Sequence, residues 1–200
     1  MVKIKTIGVL SIQGAVSEHI AAMNQALREE KVKGATILVR QRADIDRIDA
    51  LILPGGESTT ISRILVNTGM HEVIRKRMKK NDLPLMGTCA GCALLAKELT
   101  DSIGDVVLLQ AMDMQVERNA FGRQKESCER LIDIKGFSTP FNAVFIRAPV
   151  ITKVWGSCEV LSRLEKEIVM ARQGNYLALS FHPELTKDLR VHRFFLQMLP

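Results

Sequence analysis

From Ile4 to Ile12 the chain is almost continuously apolar, as expected of a strand buried on both faces of a parallel sheet. After Gln13-Gly14, the apolar residues Val16, Ile20, Met23 and Leu27 recur at spacings of four, three and four, which predicts one face of an amphipathic helix. Ala35 to Val39 and Ala50 to Leu53 read as further strands, the second stopped by Pro54-Gly55-Gly56. Helical spacing returns over Thr59 to Val66 and Glu72 to Lys80. Pro84 to Gly87 is another short strand, and Ala90 to Leu99 reads as a helix. Beyond Asp101 the texture changes to short strands between turn signals: Met112 to Arg118, Leu131 to Ile134, Ala143 to Ile146, Ile168 to Gln173 and Tyr176 to Phe181. Val191, Phe194, Phe195 and Met198 mark the apolar side of a closing helix.

Strand and helix alternate through the first half, which implies an α/β layered sheet with helices on both faces; the later strands extend it or add a flap. There is no internal repeat, low-complexity tract or linker, and 200 residues form one expected domain, 1–200. In such sheets ligands sit beyond the carboxyl ends of the strands, so the turns there are where chemistry is to be sought.

Composition narrows the function. No apolar run approaches the ~20 residues that cross a bilayer. Lys3 and Lys5 before the apolar stretch faintly mimic a secretion signal, but no small-x-small cleavage pattern follows, and a first strand in a cytoplasmic protein is expected. The net charge of +6 raises the question of nucleic acid. The densest basic run, Arg75 to Lys80, has helical spacing and no aromatics for bases to stack on, so a solvated helix face is expected, with a polyanion or partner contact as the alternative, and neither nucleic acid nor membrane is expected as a partner. Cys89, Cys92, Cys128 and Cys158 are expected as thiols.

Three turns carry candidate chemistry. Gly87-Thr88-Cys89-Ala90-Gly91 lies between a strand and a helix, the pattern of an elbow that lifts a nucleophile clear of the sheet. Cys89 would open the helix, where N–H groups favour a thiolate, and the Ala90 N–H is placed to receive an oxyanion. A buried cysteine beside packing glycines is the plainer alternative. The same residues form a C-x-x-C with Cys92, which admits a redox dithiol; zinc lacks a second pair of ligands. In Phe181-His182-Pro183-Glu184, extended geometry would put His182 and Glu184 on one side, a carboxylate orienting an imidazole. His19, His71 and His192 sit in helical patterns and are expected at the surface. Leu53-Pro54-Gly55-Gly56-Glu57-Ser58-Thr59-Thr60 presents glycine N–H groups to an anion, or is an ordinary turn with Ser58 or Thr59 capping the helix. No Gly-Lys-Ser/Thr follows, which excludes a Walker loop.

Together and in this order, the three turns resemble a class I, triad-type glutamine amidotransferase. Ser11-Ile12-Gln13-Gly14-Ala15, Pro54 to Thr60, Gly87 to Gly91, Val116-Glu117-Arg118-Asn119, Phe121-Gly122-Arg123-Gln124, Phe145-Ile146-Arg147-Ala148-Pro149 and Phe181 to Thr186 are more closely similar to the glutaminase-subunit family of pyridoxal 5′-phosphate synthase. Glutaminases of tryptophan, guanylate or pyrimidine synthesis usually carry Gln soon after the elbow, where Gly91-Cys92-Ala93 stands here. The resemblance implies a three-layer, mostly parallel, flavodoxin-like α/β fold. It implies Cys89 as nucleophile, His182 as general base then acid, and Glu184 as its orienting carboxylate. Gly56, Glu57, Ser58, Arg118, Ile146 and Arg147 would line the glutamine pocket, with backbone groups of Gly55, Gly56 and Ala90 holding the oxyanion. No metal or cofactor is called for. The implied partner is a (βα)₈-barrel synthase subunit in a hetero-oligomeric complex, which uses the ammonia to make pyridoxal 5′-phosphate. Cys92 departs from the larger aliphatic residue expected there and would add redox sensitivity; Ser11 varies a small position. A cysteine-elbow redox or stress protein and a non-catalytic regulatory subunit are the alternatives.

Overall fold

The computed structural model describes residues 4–100, 106–118, 120 and 127–200; Asn119 and the Phe121-Gly122-Arg123-Gln124 motif lie outside the described residues. Strand β1 (Lys5–Leu10) leads through α1 (Val16–Glu29) to β2 (Gly34–Val39), a short α2 (Arg42–Ile45) and β3 (Ala50–Leu53). Helices α3 (Ser58–Asn67) and α4 (Met70–Lys79) precede β4 (Leu85–Thr88), α5 (Ala90–Leu95) and β5 (Ala96–Leu99). Strands β6 (Met112–Glu117), β7 (Ser127–Ile132), β8 (Phe141–Ile146), β9 (Val150–Val154), β10 (Glu159–Leu164), β11 (Glu167–Gln173) and β12 (Tyr176–Leu179) follow, then a 3₁₀ turn at Pro183–Leu185 and α6 (Arg190–Gln197). The main sheet runs β2-β1-β3-β4-β12-β11-β9-β6-β5, with β10 against β11; β7 and β8 form a separate ribbon. Its first five strands are mutually parallel, and β11 and β9 turn the rest into a mixed sheet.

Alternation along the strands divides the core in two. In β3, Leu51 and Leu53 face α3, α4 and α5 with Leu65 and Ile74, while Ala50 and Ile52 face α1 and α6 with Met23 and Phe195. Neither face of the central strands meets water, which explains why they read as unbroken apolar runs. The expected three-layer α/β arrangement is the observed one.

The boundaries depart from expectation at specific places. The helix expected over Ala90 to Leu99 stops at Leu95, and Ala96–Leu99 becomes β5, pairing parallel with β6. Ala-Lys-Glu-Leu has good helix propensity; the sheet edge overrides it. Strand β9 went unread although four of its five residues are β-branched, and β10 is bulged near Ser162, which breaks the alternation that would mark it. Ile134 lies past β7, in an isolated bridge to Ser162. The basic run on α4 is not wholly a solvated face: Arg77 donates to the carbonyls of Ile45 and Ile48, both at 2.7 Å, and pairs with Asp82. Among the described residues no helix is long and apolar enough to cross a membrane.

The three surface histidines are buried. His19 and His192 are fully enclosed and His71 nearly so, its Nε2 at 3.1 Å from the Leu108 carbonyl. On α1 the inward stripe is His19, Ala22, Met23, Ala26 and Leu27, rotated from the Val16–Ile20 line. A polar residue aimed inward is invisible to a hydrophobic period, and its partners lie in the site described next.

Candidate active site

Strand β4 ends at Thr88 and α5 begins at Ala90, so one residue, Cys89, makes the turn, at φ 50° and ψ −109°. An L-residue with positive φ is strained, and the neighbours hold it there. A Cβ on Gly87 would stand 2.4 Å from the Gly91 carbonyl oxygen, and one on Gly91 would stand 2.1 Å from that of Leu53. Only glycine permits strand and helix to approach so closely. The Cys89 N–H donates to the Leu179 carbonyl of β12 at 2.9 Å, and its Sγ lies 3.8 Å from the Ile146 carbonyl.

His182 follows β12, the strand beside β4. Its N–H donates to the Val144 carbonyl of β8 at 2.8 Å. The approach of His182 to Glu184 is the expected one, Nδ1 to Oε1 at 2.7 Å with both residues buried, but the backbone that makes it is not. Pro183–Leu185 is a 3₁₀ turn, not extended chain. Pro183 at its first position has φ already set for a helical turn, and the tight turn folds Glu184 back under the ring. Burial by itself would lower the His182 pKa; hydrogen bonds to Cys89 and Glu184, with the charges of both, overcome it and raise it to about 10. The imidazole ring and Cys89 meet over Gly55, where an added Cβ would lie 2.7 Å from His182 Cε1, 3.5 Å from Nε2 and 3.2 Å from Cys89 Cβ.

These groups open onto a cleft of about 760 Å³. Gly56, Glu57, Ser58, Arg118, Ile146 and Arg147 all line it with Cys89, Ala90 and His182, so every implied pocket residue falls together. Glu57, not Ser58 or Thr59, caps α3: its carboxylate accepts from the N–H groups of Thr59 at 3.1 Å and Thr60 at 2.7 Å. Burial would raise that carboxyl, but hydrogen bonds from Thr59 and Thr60 hold it down at about 2. Ser58 is buried, and Arg118 Nη1 donates to its Oγ at 3.3 Å. Two glycine turns interlock at the cleft's rim: Gly14 packs on the Gly55 carbonyl, and the Gln13 side-chain carbonyl accepts from the Glu57 N–H at 2.8 Å. Gln13 and Arg63 also line the cleft, and neither was singled out as a site residue from sequence. Gln13 carried a signal, its place in a turn after β1; Arg63 looks like any exposed helical arginine.

The C-x-x-C does not act as a pair in this geometry. Cys92 is fully buried in the core on α5, and burial pushes its thiol far above the usual range, the neighbouring Cys89 and Cys158 adding to the effect. All four cysteines are free. Among the described residues no cluster of His, Cys, Asp and Glu could hold a metal ion.

An α/β sheet with a cysteine elbow and a His–carboxylate pair on adjacent strands defines a protein built for chemistry at a thiol. Residues 9–200 match the model of the SNO glutamine amidotransferase family. Among curated relatives, the pyridoxal 5′-phosphate synthase subunit PdxT of Methanosarcina mazei is 46% identical over 192 residues, 95% of this chain and 96% of the relative. Those of Methanosphaerula palustris and Brevibacillus brevis are 48% and 46% identical, with at least 95% of each chain covered. A crystal structure described as a glutamine amidotransferase superposes with a TM-score of 0.86 at 43% identity, over 96% of this chain and 97% of the other. A glutamine amidotransferase from Thermotoga maritima shares the fold at 14% identity, with a TM-score of 0.64 over 94% of this chain and 80% of that one. The chain belongs to the SNO glutamine amidotransferase family.

Proposed function

We propose that this chain is the glutaminase subunit of a pyridoxal 5′-phosphate synthase, hydrolysing L-glutamine to L-glutamate and ammonia through Cys89, His182 and Glu184, with residues 1–200 as one domain. The observation that carries the reading is the convergence of His182 and Cys89 over Gly55, with Glu184 2.7 Å behind the ring. An imidazole raised to about 10 is an imidazolium at neutral pH, which stabilises a facing thiolate. The thiolate attacks the side-chain amide carbon of glutamine. The Ala90 N–H and the Gly55-Gly56 turn receive the charge on the tetrahedral oxygen. His182 gives its proton to the departing ammonia, then as neutral imidazole takes one from the water that hydrolyses the thioester. The substrate's carboxylate and ammonium call for a cation and for acceptors; Arg118 or Arg147 and the Glu57 carboxylate line the cleft to meet them.

Free ammonia is wasted unless a second site consumes it. The relatives' name, a pyridoxal 5′-phosphate synthase subunit, supports a partner within a synthase; by the family resemblance that partner is a (βα)₈-barrel subunit in a hetero-oligomeric complex. The interlocked Gln13-Gly14 and Gly55-Gly56 turns suit control by docking, since glycine peptides reorient cheaply. Four free thiols fit a cytoplasmic setting. In the test, glutamate release is measured with and without a synthase subunit. Turnover is expected to be weak alone, to rise on mixing, and to vanish in Cys89→Ala. Normal hydrolysis by Cys89→Ala would end the triad reading, and equal rates with and without synthase would end the coupling.

A further inference from the structure

Glu184 spends one oxygen on His182, and its other oxygen points the opposite way. Among the described residues Oε2 is buried without a hydrogen-bond partner; it lies 3.3 Å from Nε2 of His19, whose hydrogen bond goes to Thr88 Oγ1 at 3.2 Å. His19 projects from α1, a helix far from the elbow in sequence, and is fully enclosed. We propose that His19 is a positioning residue for glutamine hydrolysis: its Nε2–H, held by Thr88, faces the second oxygen of Glu184 at 3.3 Å and so steadies the carboxylate that orients His182. The proposal rests on the reading of Cys89, His182 and Glu184 as the catalytic set.

The donor assignment follows from chemistry. An ionised carboxylate only accepts hydrogen bonds, so the nitrogen facing it must carry the proton. The other ring nitrogen, Nδ1, meets no hydrogen-bond partner among the described residues and can be the bare one. Thr88 Oγ1 takes the hydrogen bond and Glu184 Oε2 stands beside it, so the ring links the residue preceding the nucleophile to the carboxylate behind the histidine. The groups facing His19 are His182 just before the 3₁₀ turn, Glu184 within it, Thr88 from β4, and His192 from α6 at 5.8 Å between ring centroids. Burial first, then the charges of His192 and His182, lower its pKa well below the ordinary histidine value, so the ring is neutral. Neutrality matters. A cation there would cancel the Glu184 charge that supports the His182 imidazolium, whereas a neutral donor orients the carboxylate and leaves its charge in place.

The test compares His19→Leu, His19→Gln and His19→Asn in the full chain. Glutamine turnover is measured with the synthase subunit present, and the pH profile of Cys89 alkylation by iodoacetamide with the chain alone. Gln can present an amide N–H at the reach of Nε2; Asn is too short. Leu and Asn are expected to lower kcat about 10- to 100-fold, as for loss of one polar contact with a buried charge, with KM nearly unchanged. Their alkylation profiles should move to higher pH, because a loosened His182 supports the thiolate less. Gln should recover most of both. Wild-type kcat and profile in Leu and Asn would overturn the proposal, and so would equal losses in Gln and Asn, which mark packing alone. Should Leu not fold, the Gln and Asn contrast carries the test. Cys89→Ala in the same assay separates the two readings: turnover surviving there removes the catalytic set itself, while turnover lost there but intact in the His19 variants removes only His19.

Discussion

Gly55→Ala adds one methyl group at the point where the nucleophile and the histidine meet. The new Cβ would stand 2.7 Å from His182 Cε1, whereas ordinary contact begins at 3.4 Å, so ring and methyl must separate by about 0.7 Å. The ring has little room to yield, because Nδ1 is held by Glu184 at 2.7 Å and the backbone N–H by Val144 at 2.8 Å. Cys89 is pressed from the same side, its Cβ at 3.2 Å. A displacement approaching 1 Å in a reacting group costs on the order of a hundredfold in rate. Gly55 does not have the positive φ that would penalise alanine, so backbone strain is not confounded with the steric effect. The stability cost should be about 1 kcal/mol, the low end for overpacking, and a fall of a few degrees in Tm.

Gly174→Ala is the matched control. Its φ is +58° but no atom of the described residues lies within 4 Å of the added Cβ, so it should lose about 1 kcal/mol of stability and no activity. Glutamate release with the synthase subunit present reads the rate, and a thermal scan reads the stability. The reasoning predicts similar Tm losses and kcat values about a hundredfold apart. A Gly55→Ala enzyme within about threefold of wild type would show that the Cys89–His182 geometry over Gly55 is not what limits turnover.

Burial sets two further outcomes, at His192 and Cys92, and His182 supplies a contrast. The His192 pKa is lowered by burial to about 4, so the unfolded chain binds a proton that the native one refuses between about 6.5 and 4. That costs about 3 kcal/mol of stability as pH falls through the window, and His192→Leu should flatten this acid limb in urea unfolding measured from pH 7 to 4; an unchanged slope would refute the burial argument. His182 has the opposite sign: raised to about 10, its contribution is whole below about 6.5 and fades as pH rises toward 10. Cys92, with its thiol pushed high by burial, should stay unlabelled by iodoacetamide in the native chain and react only on unfolding, as peptide mass mapping would report; native labelling, or a Cys89–Cys92 disulfide under mild oxidant, would restore the dithiol reading.

What could be read from the residues was the set of points where the chain must do something unusual. A cysteine between glycines at a strand end, a double glycine closing an apolar strand and a histidine just beyond another strand each break a pattern, and the structure gathers them around one cleft. Other features carried no such break. His19 hid in α1 because the apolar series Val16, Ile20, Met23, Leu27 already accounted for a helix face, and periodicity gives no hint that a polar residue beside that series turns inward. The capping role of Glu57 was masked by two better-known capping residues immediately after it. Strand β5 was lost because Lys97 and Glu98 suit a helix until a neighbouring strand is supplied. The Glu57 cap is local, but the other misreadings share a cause: each depends on a partner distant in the chain.

The same dependence explains how the 92 residues between Cys89 and His182 are bridged so closely. Strands β4 and β12 pair in parallel with Leu179 opposite Thr88, and the Cys89 N–H closes on the Leu179 carbonyl, so both chains leave the sheet at one level. Core packing sets that register. Leu177, Leu179 and Phe181 enter the layer with α1 and α6, while Ala178 lies in the opposite layer with Ala90 and Cys92 of α5. A slip of one residue would reverse every side chain of β12, driving leucines into the close space under the elbow and leaving alanine where Phe195 and Met23 need volume. The alternation of large and small residues on a four-residue strand therefore does two things at once: it fills two cores, and it brings an imidazole to a thiol. A chemically silent swap, Ala178→Leu, attacks that register directly, and it should abolish turnover by displacing α5 although Cys89, His182 and Glu184 are all still present.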